Sequence, residues 1–577
     1  MKYPKLRELN TSREMVDVFK GYNHNLRIGE GEFYDMKNLS SDNYPILSPR
    51  PKRGIYATPN KPQGMVAKDA LCYVDGGDFI INEYRVAMKL SHDDKPKTLI
   101  SMGAYVIIMP DKKYINTANL SDYGNIEASF VTSAATTFEL CKVDGVGYGD
   151  IVTQDTAPTD PKNMDLWIDT SETPHQLKQY SSTTDMWSAI ATTYIRISSP
   201  GIGKPFSVND GVTLEGVESL TDLNASMVIW AKGDDYIVVT GILDKVTTQT
   251  TAISITRRMP NMDFIIESEN RLWGCRYGAA INGEMVNEIY ACKLGDFKNW
   301  NCFMGISTDS YAATVGTDGQ FTGAITHLGY PLFFKENYMH KVYGNYPANY
   351  QIQTTACRGV QKGCERSLAI VNEVLYYKAR SSICAYDGSL PEEMSSALGD
   401  ISYNNAVGGV LGNKYYISMS DTEEDYHLFV YDTKKGMWHR EDNTQAVDFC
   451  NCRGDLYYID HADNLIKTVK GTGVAETEEI SWEAITGTIG TDSPDKKYIS
   501  RMDVRMSLQV GTRVVFSAEY DSSGEWEYLF MMAGTSLRSF AVPIRPKRCD
   551  HLRLRIEGYG DAKVYSICKT IEQGSDV

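Results

Sequence analysis

The sequence predicts an all-β chain: a β-propeller with inserted small β domains, an extended N-terminal arm and a C-terminal β-sandwich. Three observations predict it. A unit of apolar strand, tight turn, Tyr-rich strand and polar strand recurs along the chain. Its later copies start about 40 residues apart, the period of a propeller blade. Tyr supplies 37 of the 577 residues and helix signals are sparse. Tyr suits half-buried strands, because its ring packs while its hydroxyl reaches a polar partner.

Each unit alternates apolar and polar residues, so its sheet has two faces to cover. One small twisted sheet cannot bury both alone. A radial arrangement buries each sheet against its neighbours and leaves only short edges. A stack of β-hairpins in a sandwich is the alternative use of the same strands.

Residues 1–55 read as an extended arm. Gly21, Asn23, Gly29 and Gly31 mark turns, and Pro45, Pro49 and Pro51 oppose a regular central strand. Such an arm is expected to wrap the body or a neighbouring subunit. Residues 56–140 hold the first blades: DALCYVDGGDFIINEYRVAMKL from Asp69, then TLISMGAYVIIMPDKKYIN from Thr98. The regularity then breaks. Residues 141–198 are rich in Pro, Thr and Asp around Trp167 and Trp187 and read as a small inserted β module. Residues 199–260 alternate cleanly between turns at Asn209-Asp210-Gly211 and Gly233-Asp234-Asp235, and read as an inserted β-barrel or sandwich. Long insertions between blades cost little.

Residues 261–473 carry the remaining blades, with units from Asn270, Gly323, Arg366, Ala406 and Ala446. Two of them end in an Asp–turn–Trp pattern, GDFKNW to Trp300 and YDTKKGMW to Trp438. The Asp starts the turn, and the Trp is expected between neighbouring blades. Residues 474–577 change to long alternating strands with a turn at Asp521-Ser522-Ser523-Gly524, hence a C-terminal β-sandwich.

The net charge is −16, from 58 basic and 74 acidic residues. That opposes tight binding of duplex DNA, which needs phosphate neutralisation, but permits its loose passage past an acidic wall. The 12 cysteines show no disulfide-scaffold spacing. Cys450 and Cys452 form a CxC on one side of a strand, with no second Cys/His pair at zinc spacing. Reduced thiols, and hence assembly in a cytoplasm, follow as an expectation. The first residues, MKYPKLRELNTSREMV, lack the apolar segment of a secretory leader, and no apolar run approaches the length of a membrane span.

Candidate chemistry is thin. Asp460, His461 and Asp463 suggest a metal or acid–base group, but sit in turn text. Asp550 and His551 invite a dyad, which strand alternation would send to opposite faces. Propellers also host glycoside hydrolases, which need paired carboxylates. Glu392-Glu393 and Asp421, Glu423, Glu424 and Asp425 are the densest clusters, and both read as solvated turns. Phosphate-loop, serine-hydrolase and zinc-protease motifs are missing. Arg501, Arg505 and Arg513, with Arg545, Lys547 and Arg548, make the C-terminal region locally basic. Those last three residues are a candidate partner surface. Trp167, Tyr180 and Trp187 are another: either a sugar-stacking platform or, as the favoured reading, the tiny core of a module too small to pack otherwise. No enzyme activity, cofactor or metal site is expected.

The order of these parts resembles the tail hub and nozzle proteins of short-tailed bacteriophages, also called packaged-DNA stabilization proteins. The text that carries the resemblance is FYDMKNLSSDNYPILSPRPKRG near the N-terminus, GAITHLGYPLFFKENYMHKVYGN and RGVQKGCERSLAIVNEVLYYKARSSICAYDGSLPEEMSSAL in the propeller, and VVFSAEYDSSGEWEYLF with RCDHLRLRIEGYGDAKVYSICKTIE at the close. It implies a virion protein, assembled in the host bacterial cytoplasm, that forms a homo-oligomeric ring, usually of six copies, below the portal and adaptor. The ring would continue the double-stranded DNA channel, help retain packaged DNA and carry tail fibres or a needle. The insertions fall outside the resemblance. They leave open a glycan-binding adhesin and, further off, a propeller glycoside hydrolase.

Overall fold

The alternating units fold as seven small antiparallel sheets in a computed structural model that describes residues 11–91, 93, 95–280, 283–301, 309–471, 474–476, 478–491, 495–534 and 537–573. Six blades are contiguous in sequence: 62–87, 98–125, 264–314, 323–356, 369–393 and 404–440. In the seventh, Ala446–Cys452, Asp455–Asp460 and Ile466–Thr468 are joined by Gly54–Ala57 from near the N-terminus. That borrowed strand closes the ring.

The apolar clusters trace the closure. Cys72, Val74 and Phe79 of blade one pack on Val106, Ile108 and Ile115 of blade two. Ile100 and Ile107 of blade two pack on Ile265 and Leu272 of blade three. Trp273 and Ile289 meet Phe333 and Val342 of blade four. Blades four, five and six share one cluster, through Phe334, Tyr377 and Tyr415. Tyr416 and Val430 of blade six face Leu456 and Tyr458 of blade seven. Cys450 and Ile459 of blade seven return to Met65 and Leu71 of blade one. Each sheet therefore buries both faces, and the chain forms a seven-bladed propeller.

Both blade-end tryptophans lie between blades. Trp300 sits in the cluster of blades two and three, 2% exposed. Trp438 of blade six donates from Nε1 to the Met394 carbonyl beside blade five, at 2.8 Å. Fully buried polar atoms need such partners.

The arm adds strands that its prolines did not suggest. Gly21–Tyr22 pairs with the outer strand of blade six, Met437–Arg440, and with Glu32–Lys37. Glu32–Lys37 pairs in turn with Ser481–Thr486 of the C-terminal sandwich. Blade six, the arm and half the sandwich thus form one ten-stranded sheet. Glu32–Lys37 is interior to it. Pro45, Pro49 and Pro51 all fall after it, in turns and the two-residue pairing Leu39–Ser40 with Ser48–Pro49. The sandwich's second sheet takes Thr11–Val16 of the arm against Ala562–Gln573.

The pairing of the insertion crosses the expected cuts after residues 140 and 198. Thr136–Cys141 pairs with Tyr194–Ser198, and Ala128–Val131 with Ser254–Arg257. These strands build two facing sheets around Phe138, Ile197, Val212, Ile237 and Ile255. The four strands between Val152 and Ala189 form a separate sheet carried between two strands of that unit. The eleven described cysteines are free, and burial pushes the Cys72 and Cys292 thiols up to about 12. No helix among the described residues is long and apolar enough to cross a membrane.

Candidate functional site

The first place where chemistry would gather is the propeller axis, where the inner strands converge. Arg366 lies in the Glu365–Ser367 turn that feeds blade five. Its guanidinium reaches across the axis, donating to the Lys97 carbonyl ahead of blade two at 3.0 Å and to the Val447 carbonyl of blade seven at 3.3 Å. Asp448 Oδ1 lies 3.4 Å from it, and Asp448 Oδ2 accepts from the Met65 amide of blade one at 2.9 Å. Burial pushes the Asp448 carboxyl up, and Arg366 only partly offsets this. Backbone fills the same level: a Cβ on Gly64 would stand 2.4 Å from the Lys97 carbonyl oxygen. The axis is cross-braced here. Asp448 is spent on an arginine and an amide rather than left free as a general acid. Among the described residues no group of three or more His, Cys, Asp and Glu is placed to hold a metal.

A second place is a cleft of about 520 Å³ between the arm and the sandwich. Val16, Phe19, Phe33, Leu554 and Ile567 give it apolar walls. Lys569, 5% exposed, pairs with Glu14 at 3.0 Å and Glu30 at 2.5 Å, both on the arm. The ammonium is buried and doubly paired, which suits an anchor for the arm.

The third is the insertion's four-stranded sheet. The structure brings Trp167, Tyr180 and Trp187 together. Trp167 and Trp187 meet edge to face at 5.5 Å between ring centroids, and Tyr180 lies 5.4 Å from Trp187. Trp167 Nε1 donates to the Gln154 carbonyl at 2.9 Å, and the Tyr180 hydroxyl donates to Asp185 at 2.5 Å. Lys178 lies 5.2 Å over the Trp167 ring and pairs with Asp169 at 2.7 Å and Glu172 at 3.2 Å. Hydrogen bonds from Lys178 and Ser171 hold the Asp169 carboxyl down to about 2. Trp167 is buried, at 5% exposure, as the tiny-core reading expected, while Tyr180 and Trp187 are half-buried. A second apolar cluster, Ile168 and Leu177 packed on Leu140 and against Ile242, lies on the opposite face.

The basic C-terminal residues are spread out. Arg545, Lys547 and Arg548 are exposed on one segment; Lys547 pairs with Glu527 and lies 4.7 Å over the Tyr520 ring. Arg501 pairs with Asp503 at 2.8 Å on one sheet, while Arg513 lies over Tyr559 on the other. Asp460 and Asp463 both hold Lys467. Asp421 closes its own turn and meets His427 at 2.9 Å. Glu392–Glu393 is a short outer strand of blade five, not a turn, and Glu393 pairs with Arg358 at 2.9 Å. Asp550 and His551 do touch, at 3.4 Å, because Asp550 lies in a bend before the strand Leu552–Tyr559, where alternation does not apply. His551 Nε2 in turn meets the Ser522 hydroxyl at 2.7 Å. Arg366 and Asp448 were missed by sequence reasoning, since neither has a local motif.

No protein-family model and no curated protein matches the chain. Solved structures that match include an exo-β-1,3-galactanase from Phanerochaete chrysosporium, at 9% identity over 53% of this chain and 94% of that one, with a TM-score of 0.21. A Trypanosoma rangeli sialidase matches at 8% identity over 96% of each chain, TM-score 0.21. A GH43 glycoside hydrolase matches at 9% identity over 54% and 98%, TM-score 0.19. The expectation that the chain is not an enzyme is corrected on this finding, because the similar structures are hydrolases. TM-scores this low assign none of their activities to this chain.

Proposed function

We propose that the chain is a structural subunit of a bacteriophage tail, of the hub or nozzle kind, which lines the DNA path below the portal, helps retain packaged DNA and anchors other tail parts. The observation that carries this reading is the arm. It hydrogen-bonds into blade six and into both sheets of the sandwich, so continuous strand pairing joins the three parts. A load-bearing wall in a pressurised assembly needs such stitching. The cross-braced axis fits the same role: DNA would run between copies, not through a propeller. The acidic charge keeps such a path free of sticking. The reading is tested by protein mass spectrometry of purified tails, with electron microscopy to place the chain in the particle. Abundant chain in a ring on the tail axis is expected. Its absence from purified particles, or a strictly monomeric state, overturns the reading.

A further inference from the structure

The aromatic cluster of the insertion lies on the face of its sheet opposite Ile168 and Leu177, with Trp167 buried beneath the half-open Tyr180 and Trp187. In the sheet register Trp167 stands opposite Lys178, and Tyr180 opposite Trp187. Ile168 stands opposite Leu177 on the other face, packed on the barrel through Leu140. Strand alternation therefore gives the sheet one face for anchorage and one lined by Trp167, Lys178, Tyr180 and Trp187. On the second face Trp167 is buried while Tyr180 and Trp187 stay half-open, and the side chains are held in place by a carbonyl, two carboxylates on Lys178 and one on Tyr180. Trp187 is half-buried between the two other rings.

We propose that this outer face binds a neutral, hydroxyl-rich glycan, with a pyranose ring stacked on Trp187. A sugar ring offers an apolar C–H face and a rim of hydroxyls, and needs a rigid aromatic plane beside hydrogen-bonding groups. Glu172 and Asp185, both exposed, supply acceptors around the rings. The same carboxylates oppose sialylated or uronic sugars. They oppose nucleic acid too, since Lys178 is already paired twice and phosphate needs a cation. The inference rests on the module's geometry and does not depend on the tail reading.

The test is a glycan array carrying neutral hexose and N-acetylhexosamine oligosaccharides beside sialylated and uronic ones, probed with the full chain. The best neutral hit is then titrated by tryptophan fluorescence. Neutral glycans are expected to bind, and Trp187→Ala to weaken the hit by about tenfold or more. Tyr180→Phe, which keeps the ring and removes the Asp185 contact, should weaken it less and guards against a folding defect in the first variant. Binding of anionic glycans only, binding of none, or unchanged affinity in a folded Trp187→Ala variant overturns the proposal.

Discussion

His340 shows how a single side chain sets a pH limit on this fold. It is fully buried in blade four, with its two ring nitrogens on the Thr354 and Thr317 hydroxyls at 2.9 and 3.0 Å. Burial, then the nearby Lys335 charge, pushes its pKa down to about 4. An unfolded histidine titrates near ~6.5. Between those values the unfolded chain binds the extra proton, so stability falls as pH drops from about 6.5 to 4, by up to ~1.4 kcal/mol per unit. His340→Gln should flatten that slope in urea melts run at pH 7, 6 and 5. Some slope will remain, because buried His439, pushed down to about 3, acts with the same sign. Arg53 is the second residue of this kind. Its guanidinium sits between Glu441 at 2.9 Å and Asp442 at 2.8 Å, both beyond blade six. Arg53→Met strands Glu441, while Asp442 keeps Arg50 at 3.7 Å, and should cost about 3–5 kcal/mol in the same melts, the usual penalty for half of a buried pair.

At the scale of elements, the later blades were legible because each writes its register locally. LFF in blade four and LYY in blade five are apolar runs with a Lys at the end, and Lys335 and Lys378 both turn inward to cap loop carbonyls, of Thr317 and of Ala379. Trp300 and Trp438 were readable as inter-blade plugs for the same reason: turn, ring and strand lie within a few residues. The closing strand Gly54–Ala57 was not readable, since its partner Ile466–Thr468 lies some four hundred residues away and pairing leaves no local period. Arg366 and Asp448 were invisible likewise. The rings of the insertion were found, but not that Trp167 is buried while Tyr180 and Trp187 stay half-open, because the sequence does not say how far each side of a small sheet is covered. The arm tests this long-range logic directly. Thr11–Val16 is an edge strand held to Ala562–Gln573 beside the Lys569 ion pairs. Lys569→Met should lower hydrogen-exchange protection of amides 12–16 by about tenfold or more while leaving the blade amides unchanged. Equal loss in both regions would mean that the lysine supports the core rather than the strap.

On the scale of the whole molecule, the insertion and the propeller with its arm and sandwich make two bodies that share no apolar cluster among the described residues. One apolar cluster runs from blade four through the arm into the sandwich, joining Leu332, Phe33 and Phe516. The insertion has its own, around Phe138 and Ile255. Its two ends are already adjacent, because Ala128 and Arg257 are register partners across one ladder, which places their Cα atoms about 5 Å apart. The insertion can therefore be removed without opening the ring. Arg257 bridges the bodies, paired with Asp210 and bonded to the Ile126 carbonyl, so it must lose its charge when Asp210 goes. A variant with residues 129–256 replaced by an Asn-Gly turn and with Arg257→Thr should remain soluble and keep the main thermal transition within a few degrees. Calorimetry of the full chain should show a second transition that this variant lacks, and Phe138→Ala should move only that one. If the excised chain aggregates, or Phe138→Ala shifts both transitions together, the insertion is structural support for the propeller rather than a passenger on it. A passenger can change its binding face without disturbing the block that carries it, and this is the physical reason that the aromatic face and the arm-stitched block can serve separate tasks.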